Sequence, residues 1–94
     1  MSLKEKLKEE ILETPWEPLA PHFASGSTYL VDKDLILEDV GLAMAEDNVN
    51  LIKEWLDHGL ISPPTAEQVK EFTAKPELSF DMLIIEPYVL IQQK

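Results

Sequence analysis

FDMLIIEPYVLI, residues 80–91, contains only two charged side chains, Asp81 and Glu86, and no amide. Phe80, Met82, Ile84, Tyr88 and Leu90 fall on even positions, and Leu83, Ile85, Val89 and Ile91 on odd ones. No period of 3.6 divides a wet side from a dry one. In an extended chain both faces are apolar, the mark of a strand covered on each side. Pro87 has no N–H to give to a ladder and biases Glu86 toward extended backbone. The run therefore reads as two short strands meeting at a kink, or as one strand with Pro87 on an unpaired edge. An edge left free would offer a surface for strand pairing.

Upstream of this run the chain is mostly helical in pattern. Thr65-Ala-Glu-Gln68 has capping-box form and opens a helix that turns Val69 and Phe72 inward, closing at Lys75-Pro76. Leu51, Ile52, Trp55 and Leu56 give a broad apolar face to a helix from about Val49 to His58. Gly59 stops it, with Leu60 and Ile61 immediately after. Ser62-Pro-Pro64 is a rigid corner. Leu37, Val40, Gly41 and Met44 recur at i, i+3, i+4, i+7 in an earlier helix, with Asp34 as its expected N-cap. Glu46-Asp-Asn48 interrupts that helix, and Asp47 or Asn48 caps the next. Thr28 to Val31, TYLV, is β-branched and aromatic and reads as a strand.

At the N-terminus, Ser2-Leu-Lys-Glu5 is a second capping box. Leu3, Leu7, Ile11 and Leu12 extend its apolar stripe, so the helix is expected to end near Glu13. Thr14 then reads as a cap with Pro15 at N1 and Glu17 at N3. Pro18 and Pro21 restrict this segment to irregular turns ending at Gly26, with Trp16, Leu19 and Phe23 as their buried side.

These elements predict one α+β domain over residues 1–94, with four helices and a small antiparallel sheet in a winged-helix-like order. The 94 residues suffice for one modest core without staples. The chain has no cysteine, which excludes disulfides, thiolate metal sites and cysteine nucleophiles. MSLKEKLKEE has no apolar segment after its first lysines, so no secretory leader is expected, and no run approaches a membrane span. A soluble, cytoplasmic protein is the expectation.

Eighteen acids against eight bases give a net charge of −10, and every base is lysine. Arginine is the usual bidentate reader of guanine and phosphate. Without it, and with a field that repels polyanions, neither nucleic acid nor an anionic membrane is expected as a partner.

The end motifs carry a family resemblance. Glu13-Thr14, Trp16, Leu19, Pro21-His-Phe-Ala24 and Gly26 form one block, and Val40, Ala43 and Ala45-Glu-Asp47 a second. Trp55, Gly59-Leu60 and Pro87-Tyr-Val-Leu-Ile-Gln92 complete the set. By these residues the chain resembles the small bacterial proteins grouped as domain of unknown function 2288, where Trp is commoner at the Tyr88 position. It departs from them at Pro15 and Pro18. The resemblance implies a small cytoplasmic bacterial protein and carries over no activity, ligand or catalytic residue.

Candidate chemistry is sparse. His22, flanked by Pro21 and Phe23 with Glu17 nearby in sequence, has the makings of an acid–base residue oriented by a carboxylate. A loop histidine bonded to a backbone carbonyl is the favoured reading of it. His58 suits the negative end of its helix. Asp32-Lys-Asp34 begins like a calcium loop, but Leu37 stands where glycine is needed and Ala43 where a glutamate belongs. No metal, cofactor or catalytic residue is assigned. The lysine at Lys53, opposed by Glu54 and Asp57, is too little for a DNA-reading helix.

The expected function is accordingly a non-enzymatic protein-interaction module, binding a protein partner or a second copy through Tyr88 or a strand edge. The alternative is a small-ligand or enzymatic site around Trp16, Glu17 and His22. A DNA-binding regulator ranks last.

Overall fold

A computed structural model of the chain describes residues 2–19, 27–75, 77–86 and 88–94. Its element order is α1 (Leu3–Glu9), β1 (Leu12–Pro15), a 3-10 turn (Glu17–Leu19), β2 (Thr28–Val31), α2 (Leu37–Ala45), α3 (Val49–Asp57), β3 (Ile61–Ser62), α4 (Ala66–Ala74), β4 (Ser79–Ile85) and β5 (Tyr88–Gln93). The fold is α+β, and the four helices of the sequence reading are present. The strands form one sheet in the order β1-β4-β5-β2-β3.

The apolar run is a hairpin. β4 and β5 pair antiparallel from Phe80↔Gln93 to Ile85↔Tyr88, so the chain reverses between Ile85 and Tyr88. Pro87 itself lies outside the described residues. The alternative of one long strand is thereby overturned.

The expected free edge on β5 is also overturned. β5 lies between β4 and β2, and its pairing with β2 is parallel, Thr28↔Val89 through Val31↔Gln92. The sheet is therefore mixed and five-stranded, where a small antiparallel one was expected. The hairpin that a winged-helix-like order would use as its wing is the centre of this sheet.

Alternation along β5 sends its side chains into two cores. Leu90, with Leu83, Val31 and Ile61, packs beneath Leu7 of α1 and Leu37 and Val40 of α2. Val89 and Ile91, with Phe80, pack on the other face against Trp16, Leu19 and Phe72. Phe80, Leu83, Leu90 and Ile91 are all fully buried. Phe72 and Phe80 meet edge-on with centroids 5.0 Å apart, and Trp16 lies 5.0 Å from the first and 5.7 Å from the second. At the end of β5, Gln92 Nε2 donates to the carbonyls of Asp32 (2.9 Å) and Leu35 (2.6 Å), fixing the loop that leads into α2.

Three local readings require correction. The first helix stops at Glu9, with Glu10 as its C-cap, and does not reach Glu13. Residues 12–15 pair instead with β4, Leu12↔Met82 through Pro15↔Ser79. The exposed side of β4 provides hydrogen bonds that outweigh a modest helix propensity, and an edge strand is where proline is tolerated. Second, the α2 N-cap is Ile36, which makes no side-chain bond. Asp34 N–H donates to Asp32 Oδ1 at 2.9 Å, closing an Asx turn before the helix. Third, the residues after Gly59 form β3, a two-residue edge strand paired with Leu30 and Val31.

The caps of the other helices agree with the sequence. Ser2 accepts from Glu5 N–H at 3.2 Å, Asn48 from Leu51 N–H at 3.3 Å, and Thr65 and Gln68 form a reciprocal capping box. Gly59, at φ +70°, closes α3: its N–H donates to the Leu56 carbonyl, and Leu60 N–H to that of Trp55. Asp47, at φ +53°, closes α2 in the same way, donating to Met44 while Asn48 N–H donates to Ala43. Asp is among the few non-glycine residues that enter this region readily.

Two substitutions test the layering. Phe80→Ala removes a fully buried ring that makes two of the three contacts of the aromatic group, and is expected to cost about 3–5 kcal/mol, much of a small domain's stability. A urea midpoint unchanged by it would contradict the second core. A Cβ at Gly41 would lie 2.6 Å from Cδ2 of the fully buried Leu83. Gly41→Val is expected to lose about 1–3 kcal/mol on the same measurement.

Candidate functional site

Of the sequence candidates Trp16, Glu17 and His22, the first two are among the described residues. Trp16 is 4% exposed. Its indole Nε1–H donates to Thr73 Oγ1 at 3.0 Å, and that hydroxyl donates to the Val69 carbonyl at 2.8 Å. The side chain is thus a bolt between the 3-10 turn and α4. Glu17 is exposed at the surface. His22 lies outside the described residues.

Tyr88 is different. It is 40% exposed, and its ring meets Tyr29 edge-on at 5.8 Å. These two tyrosines, from neighbouring parallel strands, form one wall of a groove of about 280 Å³. Ile61 of β3 and Met44 of α2 also line it. Val49, Ile52 and Leu56 of α3 line it as well, together with Asp47. Val49 is 67% and Leu56 42% exposed. The groove is therefore a mostly apolar surface open to water.

Its origin lies in how α3 is held. The helix is strongly amphipathic, but none of its residues is fully buried. The broad apolar face Leu51, Ile52, Trp55 and Leu56 is only half covered. The 46–48 corner fixes the start of α3 and β3 takes the chain away at its end. The helix consequently rests across α2 and the sheet margin without closing on them.

The sequence identified Tyr88 but not the rest of this groove. Tyr29, Met44 and Ile61 come to it from separate elements, and no spacing links them. The one available signal was the width of the α3 apolar face, broader than a single packed stripe requires.

The electrostatics around α2 and α3 are acidic. Lys4 Nζ lies 2.7 Å from Asp39 Oδ1, and that hydrogen bond and charge hold the lysine proton above the ordinary lysine range. A raised value in the folded chain means that any stability from this pair is present through neutral pH. It is lost only as the pH climbs through the raised lysine value. The pair is solvent-exposed and contributes little. Among the described residues, no group of three His, Asp or Glu side chains is placed to hold a metal ion, and no helix is long and apolar enough to cross a membrane.

Comparison with known proteins agrees with the architecture and is silent on activity. None of the curated proteins compared with the chain matches it. The NMR solution structure of PA1075 from Pseudomonas aeruginosa is similar, at 30% sequence identity and a TM-score of 0.84. The match covers 98% of this chain and 84% of that one. The family described as "Protein of unknown function (DUF2288)" matches residues 2–93, nearly the full length, and the chain belongs to that family.

Proposed function

We propose that this protein is a non-enzymatic interaction module of the cytoplasm, and that it binds a protein partner in the groove between α3 and the Tyr29–Tyr88 wall. One observation carries the reading. Val49, Leu56 and Tyr88 are large apolar or aromatic side chains, each at least 40% exposed, gathered around one concavity. Scattered apolar residues are normal on a protein surface, whereas a contiguous apolar concavity is a feature of binding sites. Tyrosine at such a position is a frequent anchor, since it buries much area at low entropic cost.

Support for a protein partner comes also from charge. A net charge of −10 with no arginine opposes nucleic acid and anionic lipid alike. The sheet edges are weaker candidates. β3 has two residues, and β1 ends in Pro15 and carries Glu13, whose carboxylate lies 2.6 Å from Lys94 Nζ. Short, charged or proline-bearing edges discourage strand addition.

Selection of binders from an unbiased random peptide library, with amide chemical-shift mapping of those selected, tests the reading. Selected peptides are expected to shift Tyr29, Val49, Ile52, Leu56 and Tyr88. Tyr88→Ala is expected to weaken them about tenfold with an unaltered urea midpoint. Peptides that map to the Trp16 face, or the absence of any binder, would refute it.

A further inference from the structure

The surroundings of the groove are charged in one sense. From Leu37 to Asp57, α2, its corner and α3 carry Glu38, Asp39, Glu46, Asp47, Glu54 and Asp57 against the single lysine Lys53. Less than a quarter of the chain thus holds half of its net charge of −10. Of the six carboxylates, only Asp39 has an ion-pair partner among the described residues. A second, half-polar depression of about 310 Å³ lies past α3. On the α2 side of that helix, Leu51, Trp55 and Leu42 line it, and Asp39 and Glu46 border it. The corner at Glu46-Asp47-Asn48 therefore stands between the apolar groove and this half-polar depression, with an acid at the border of each.

We infer that the groove takes a cationic amphipathic segment of another protein. The segment seats its apolar side chains against Tyr88, Tyr29 and Leu56, and its lysines or arginines face Asp47, which lines the groove, and Glu46 beside it on the same corner. This rests on the groove being a protein-binding surface, as proposed above, and adds the chemistry of the occupant. The same field disfavours a second copy, because self-association would oppose two surfaces of like sign. Complementary charge outside an apolar seat speeds encounter and rejects acidic competitors, while the buried apolar contacts supply most of the affinity.

The test uses a fluorescein-labelled amphipathic peptide of leucine and lysine, about two heptads long, and its leucine–glutamate counterpart, titrated by anisotropy against the full chain. The leucine–lysine peptide is expected to bind and the glutamate peptide not to. Leu56→Asp is expected to weaken binding about tenfold. The double variant Glu46→Gln, Asp47→Asn is expected to weaken it about threefold, as does a rise in salt from about 50 to 200 mM. Leu56→Asp adds a negative charge, so attraction by charge alone would make that variant bind as well or better, and this result overturns the inference. If the glutamate peptide binds equally well and Leu56→Asp abolishes both, the groove stands as a binding surface and the cationic occupant is wrong. If neither peptide responds to Leu56→Asp, the groove reading falls as well. A dimer of the free chain in sedimentation that Leu56→Asp dissociates would identify a second copy as the occupant and overturn the proposal.

Discussion

The arrangement depends on β5 being buried on both faces and flanked on both sides. Leu90 reaches one core while Val89 and Ile91 reach the other, and β4 and β2 take up its backbone groups. A strand of this kind loses much if any layer is absent. Each fully buried aliphatic side chain represents about 1.5–3 kcal/mol of transfer free energy, and a backbone group buried without a partner costs a comparable amount. The helices on one face and the aromatic group on the other are therefore coupled through a single strand. The parallel pairing with β2 is a consequence of that position. With β4 antiparallel on one side, the other side of β5 is open, and the chain between β2 and β5 is long enough to supply the crossover through α2, α3 and α4.

Against that rigid centre, the α2–α3 corner explains why a surface remains open. Asp47 in the left-handed region ends α2, and Asn48 at once caps α3, so the two helices are joined with almost no slack. Gly59 then ends α3 just before β3. A helix pinned at both ends cannot roll further onto the sheet. Its apolar face is wider than the contact it makes, and the remainder, with Tyr29 and Tyr88, is left to solvent. The acids of the same corner keep this surface soluble and give it a sign, so that one local geometry sets both the shape and the electrostatics of the proposed site.

Much of the fold was legible in the residues because it is local. The Thr65–Gln68 capping box, the Gly59 stop, the Asn48 cap, the TYLV strand and the two-sided character of 80–91 each depend on near neighbours and fixed periodicities. Of the candidate site, only Tyr88 stood out. Trp16, offered as a ligand contact, is held in the core by Phe72, Phe80 and Thr73, partners more than fifty positions away.

The order of amino acids thus settled which segments are helical and where most of them begin and end. It also marked the C-terminal run as extended chain, in which Leu83 and Val89 to Ile91 are buried while Ile84 and Tyr88 stay open to solvent. Tertiary structure settled the rest: that Leu12–Pro15 is an edge strand, that β5 is central and parallel to β2, and that Tyr29, Tyr88, Ile61 and α3 share one groove. The difference is physical. Caps and periodicities are fixed within one or two turns of chain, whereas strand partners and grooves depend on which distant surfaces meet, and a linear pattern does not contain that.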